Sequence, residues 1–174
     1  MKPAVLAILL FALSAHAAGP KPEPAPVLHP VRWYNTRPMT LNDLRGSVVL
    51  IGFWATWSKP SVASHAPLAT LAKRFRSEKF SVILYHSRLT NIQHIHDVKA
   101  EKVLPFFIAE NGLKLPVAIA GQRDFAEYGV IGLPRFVLVD KKGNIRSSAG
   151  KMPSVKTIQA LLAEDVPAVQ QAAR

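Results

Sequence analysis

Two serines three residues apart, Ser58 and Ser61, lie in Trp57-Ser58-Lys59-Pro60-Ser61, where a helix is expected to begin. A serine hydroxyl is a weak nucleophile unless a base takes its proton. His65 follows Ser61 by four residues, a spacing that places both side chains on one helix face, so a Ser61–His65 nucleophile–base pair is one reading. No acid stands beside them to orient the imidazole, which counts against a Ser–His hydrolase. Metal chemistry is a second reading. His94-x-His96-Asp97, with His86, could supply ligands if the segment is extended, because alternate residues of a strand share a face; on a helix the two histidines diverge and are plain surface residues. Sulfur chemistry is ruled out by composition: the 174 residues include no cysteine, so the chain can form no disulfide, mixed disulfide or thiolate metal site. No cofactor is expected.

The elements that must position these residues alternate between strand and helix. Val48 to Trp54 is a continuous apolar, β-branched run after a Gly46-Ser47 turn, as expected of a central strand buried on both faces. Ser58 can cap the helix that follows, Pro60 suits its first turn, and Leu68, Leu71, Ala72 and Phe75 recur on one face to about Arg76. Phe80 to Tyr85 reads as a second strand. Residues 88–103 mix polar and apolar types without a clear period, and Pro105 then reads as the start of a helix that Gly112 ends. Pro116 to Ala120 and Arg135 to Val139 read as strands. A Lys142-Gly143-Asn144 turn leads to a short strand near Ile145, and Val155 to Ala163 to a closing amphipathic helix.

The flanks read differently. Met1-Lys2, the apolar run Ala4 to Leu13 and the small-x-small Ala15-His16-Ala17 have the form of a cleaved secretory signal over residues 1–17. The run is shorter than the roughly 18 apolar residues a membrane span needs, so no stable membrane anchor is expected after cleavage. Prolines at 20, 22, 24, 26 and 30 make residues 18–30 an extended spacer rather than a packed element. The domain is expected over 31–165, with 166–174 a C-terminal tail. Lys and Arg outnumber Asp and Glu by 22 to 11, yet they are scattered along the chain, with only Lys73-Arg74-x-Arg76 and Lys141-Lys142 forming small groups. That distribution argues against a nucleic-acid groove and for solubility with weak attraction to anionic surfaces.

Two motifs carry a family resemblance. Leu44-Arg45-Gly46-x-Val48-Val49-Leu50-x-x-Phe53-Trp54-Ala55-Thr56-Trp57 is followed about seventy residues later by Tyr128-Gly129-Val130-x-Gly132-Leu133-Pro134-x-Phe136-x-Leu138-Val139-Asp140-x-x-Gly143. Over about residues 40–162 the chain resembles the TlpA-like redoxins, exported bacterial thiol-disulfide oxidoreductases of the thioredoxin superfamily. The resemblance implies an α/β thioredoxin fold, a central mixed sheet flanked by helices. It also implies a Cys-x-x-Cys motif whose two cysteines are replaced here by Ser58 and Ser61. In such proteins the first thiol ionises at the helix start and attacks a disulfide, and the second resolves the mixed disulfide. A helix end favours an anion by about 0.3 to 1 kcal/mol, less than one pKa unit, which can poise a thiol but not a hydroxyl.

The resemblance further implies a cis Leu133-Pro134 bond facing the loop, and a peptide groove formed by Trp57, Lys59, Pro60, Leu133, Pro134 and Arg135. Arg135 either adds charge to that groove or points to solvent. Three features depart from the family: Gly52 stands where many thioredoxins carry a buried acid, Pro67 lies six residues after Ser61 instead of five, and segment 88–103 has an unusual composition. The copper-delivering members use paired cysteines, which are absent.

Two functions follow as expectations. One is a non-catalytic, periplasmic binding module that holds a polypeptide or partner protein. The other is a thiol-disulfide oxidoreductase by ancestry, or a Cys-to-Ser engineered form of one. The retained leader and the lack of a tag favour a natural sequence.

Overall fold

A computed structural model describes residues 22–88 and 100–165. The expected signal (1–17) and tail (166–174), with His94 and His96, lie outside the described residues. A seven-stranded sheet is built from β1 (Glu23–Pro24), β2 (Arg32–Tyr34), β3 (Val48–Trp54), β4 (Phe80–His86), β5 (Val117–Ile119), β6 (Arg135–Val139) and β7 (Asn144–Ala149), in the order β1-β7-β6-β3-β4-β5-β2. Pairs β3–β4 and β4–β5 are parallel, and the rest are antiparallel. The helices are α1 (Lys59–Ala63), α2 (His65–Arg74), α3 (Ala100–Glu110), α4 (Asp124–Glu127) and α5 (Val155–Ala163). The sheet is mixed and flanked by helices, as expected.

Every residue of β3 is buried, which explains its unbroken apolar run. Its even positions, Val48, Leu50 and Trp54, join Leu68, Leu71, Leu104, Ile158 and Leu161 in one core under α2, α3 and α5. Its odd positions, Val49, Ile51 and Phe53, pack on the other face with Tyr85, Val137, Tyr128 and Leu28. Among the described residues no helix is long and apolar enough to cross a membrane.

Three expectations are corrected. Residues 23–30 are not a free spacer. Pro24 pairs with Asn144 and Glu23 with Ile145, Leu28 is buried, and the Tyr128 hydroxyl donates to Pro26 O at 2.6 Å. The prolines keep this strap extended, and an edge position asks them for no ladder donor, so it lies across the second face as a packed piece of the domain. The single helix expected from Ser58 to about Arg76 is two. Ser64 separates α1 from α2, its hydroxyl donating to Ser61 O at 2.6 Å. Pro67 then falls in the first turn of α2, where its missing N–H costs nothing, and the break absorbs the extra residue before it. Pro105 lies inside α3 instead of starting it, because the buried Ala100 and Leu104 fix the preceding turn on the core.

The turn after β6 is built as expected. Gly143 has φ +79°, and the backbone N–H groups of Lys142 and Asn144 both donate to Asp140 Oδ1 at 2.9 Å.

Candidate functional site

The loop that leaves β3 enters α1 through Ser58. Ser58 has extended backbone and caps the helix, its Oγ accepting from Ser61 N–H at 3.4 Å. The Ser61 hydroxyl donates to the same oxygen at 2.8 Å. Both serines are buried, Ser61 completely. The pair that would be two thiols is thus a closed hydroxyl contact under the loop. The Ser61–His65 pair is not formed: Ser64 breaks the helix between them, Ser61 is bonded to Ser58, and His65 packs edge-on to Trp54 with ring centroids 4.3 Å apart.

Beneath the loop lies an aromatic layer that the sequence did not announce. Trp54 and His86 are register partners at the ends of β3 and β4, and their rings meet edge-on at 4.6 Å. Phe107 of α3 closes over Trp54 and His65. The Thr56 N–H donates to His86 Nε2 at 3.0 Å, which makes His86 a support for the loop and takes that nitrogen from any metal. Burial lowers the pKa of His65 to about 4, and burial, with the neighbouring His65 adding to it, lowers that of His86 to about 4. Both imidazoles are therefore neutral at pH 7. Trp54 Nε1, His65 Nε2 and His86 Nδ1 are buried without a hydrogen-bond partner among the described residues. His86 as a metal ligand is corrected to a buried loop support; the partners expected for it, His94 and His96, lie outside the described residues.

Gly52 stands at the position where many thioredoxins carry a buried acid. A Cβ there meets Leu68, Leu84 and Phe136 carbons at 3.5 to 3.7 Å, so the site is apolar and offers a carboxylate no partner.

Opposite the helix start, the Leu133-Pro134 bond is cis, as the resemblance implied. Leu133 and Pro134 are half-buried, and Trp57 is 39% exposed at the neighbouring strand end. Lys59 and Pro60 are exposed on the first turn of α1. Arg135 is half-buried, and its Nε donates to Ser148 Oγ at 2.9 Å, so its guanidinium is tied to the sheet. Ile131 is 97% exposed in the same loop. Sequence reasoning passed over Ile131 because it fills a variable position of the second motif; an isoleucine followed by glycine between two apolar residues was the available signal.

A second polar cluster stands at the end of β5. Asp124 is fully buried and accepts from Gly121 N–H at 2.7 Å, from His29 N–H at 3.1 Å and from the Tyr85 hydroxyl, with His29 Nδ1 at 3.2 Å. Burial and the Asp124 carboxylate push the Tyr85 pKa up, keeping the phenol a donor. His29, Asp124 and Glu127 bring one possible ligand atom each within 4.8 Å of one another. With donors already filling its oxygens, Asp124 is the knot that fastens the strap to the sheet.

Comparisons place this geometry. The Redoxin family model matches residues 34–162. A thiol-disulfide oxidoreductase ResA of Bacillus thuringiensis (strain Al Hakam) is 32% identical over 106 residues, 60% of this chain and 56% of that protein. The chain thus spans a little over half the length of that relative. The crystal structure of a thioredoxin-like superfamily protein superposes with a TM-score of 0.71 and 27% identity, covering 83% of this chain and 99% of the other. A thiol-disulfide isomerase from Corynebacterium glutamicum superposes with a TM-score of 0.63 and 29% identity, covering 81% and 98%.

Proposed function

This chain belongs to the redoxin family, with a thioredoxin-like fold, and we propose that it is an exported, non-catalytic member that holds an extended polypeptide or partner protein in the groove beside α1. One observation carries the reading. Ser58 and Ser61, buried and bonded to each other, occupy the Cys-x-x-Cys positions, while Trp57, Ile131, Leu133 and Pro134 leave apolar surface open beside them. Dithiol exchange needs a thiolate to attack and a second thiol to resolve, and this sequence has neither. A hydroxyl at the helix start gains about 1 kcal/mol toward ionisation at most, far short of what a serine needs. Binding asks for none of this. An extended segment gains affinity from main-chain hydrogen bonds and from apolar side chains seated in shallow pockets.

The leader-like residues 1–17 support export to the periplasm. The name thiol-disulfide oxidoreductase attached to the relatives supports descent from redox enzymes.

The test is binding of an extended, thiol-free polypeptide. Insulin B chain with both cysteines alkylated by iodoacetamide, titrated into the protein and followed by fluorescence anisotropy, is expected to bind. Ile131→Ser and Trp57→Ala are each expected to weaken it about tenfold, the scale of one well-placed apolar anchor. No binding, or binding that ignores both substitutions, overturns the reading.

A further inference from the structure

Five basic residues, dispersed in sequence, are brought by the fold to the groove. Strands β3, β4 and β5 run parallel and β6 antiparallel to them, with β7 antiparallel to β6. The C-terminal ends of β3, β4, β5 and β7 and the N-terminal end of β6 therefore lie at one edge of the sheet, the edge that carries Ser58 and Pro134. Each of these five ends bears a cation. In sheet order they are Lys151 after β7, Arg135 opening β6, Lys59 after β3, Arg88 after β4 and Arg123 after β5. All but Arg135 are exposed, and none of the five takes part in an ion pair among the described residues.

The acids lie elsewhere. Asp43, Glu78, Glu110 and Asp140 stand at the opposite edge, and Glu164 is paired there with Arg146. On the groove side, Asp124 is buried and saturated, which leaves Glu101 and Glu127 on helices, and no acid in the described strand-end loops.

We propose that the groove selects an acidic partner: an extended segment in which Asp or Glu alternates with apolar residues, laid across the strand ends from Lys151 toward Arg123. This rests on the groove reading given above. Five neighbouring strands span about 19 Å at about 4.8 Å per strand, the reach of roughly six extended residues at about 3.3 Å each. In an extended segment successive side chains point to opposite sides, so one side can present carboxylates to the cations while the other packs on Trp57, Ile131 and Leu133. A nucleic acid matches the charge but not the apolar surface.

The experiment uses the full chain and three fluorescein-labelled peptides of roughly eight extended residues, alternating valine and leucine with glutamate, glutamine or lysine. At low salt the glutamate peptide is expected to bind about tenfold or more tighter than the glutamine peptide, and the gap to shrink at ~200 mM salt as the charges are screened. Lys59→Gln/Lys151→Gln is expected to erase most of that gap, while Lys73→Gln/Lys79→Gln, at the opposite edge, leaves it unchanged. Equal affinity for the glutamate and glutamine peptides, or equal losses in both variants, overturns the proposal, and so does a single-stranded oligonucleotide that binds more tightly than the glutamate peptide. Failure of the groove reading looks different: no peptide binds, or Ile131→Ser weakens none of them.

Discussion

The loop that starts α1 and the loop that holds Pro134 face each other across the ends of β3 and β6, and they have fared differently. In the first, the reacting positions hold oxygen in place of sulfur, and the two hydroxyls are turned inward onto one another. In the second, the cis bond persists beside an isoleucine almost wholly open to solvent. Covalent exchange resides in two side-chain atoms and is lost when they change. Binding, as proposed above, would rest instead on backbone shape and several apolar side chains.

The supports differ too, and removing them one at a time sharpens the contrast. The largest effect is expected at the Asp124 knot, which fastens the strap to the sheet. Asp124→Ala leaves the buried Tyr85 hydroxyl and the part-buried Gly121 and His29 N–H groups without their acceptor, and should cost about 3 to 5 kcal/mol in urea unfolding. The strap that carries Pro26 under Tyr128 should become accessible to protease in the same variant.

Acid should act first on the loop that starts α1. His65 and His86 have folded-state pKa values lowered to about 4 from an ordinary 6.5, so between those values the unfolded chain binds more protons and is favoured. Stability should be level above about pH 6.5, fall as pH drops toward 4, and level off below, by on the order of 2 to 3 kcal/mol per histidine. His86⁺ can no longer accept from Thr56 N–H, so amide exchange around residues 55–57 should quicken over that window. Denaturant unfolding from pH 7.5 to 3.5 checks this, and a flat profile would contradict it. Ser58→Ala removes the helix cap and strands the Ser61 hydroxyl, with an expected loss of about 1 to 2 kcal/mol. Ile131→Ser should change stability by less than about 0.5 kcal/mol while weakening polypeptide binding, which separates surface from scaffold.

The sequence made the central strand, the closing helix and the two motifs legible, because apolar runs and fixed motif spacing are local signals. What it hid was long-range. The strap's prolines look the same in a free linker as when they lie on a sheet, and distant contacts decide between them, His29 to Asp124 across 95 residues among them. The break at Ser64 was hinted at by Pro67 but depends on how α2 buries its own Leu68 and Leu71 in the core. The support by His86 arises from strand register, which pairs it with Trp54. The cationic edge escaped a linear reading because its members are spread from residue 59 to residue 151 and meet only through strand order.

If the two replaced thiols are what keep this thioredoxin-like frame from exchange, restoring them should restore it. Dithiothreitol-driven insulin reduction by the unsubstituted chain and by Ser58→Cys/Ser61→Cys tests it most directly. The unsubstituted chain should not exceed the uncatalysed rate, and the double variant should form an internal disulfide and catalyse the reduction. A folded double variant that stays inert, or activity in the cysteine-free chain, would contradict it.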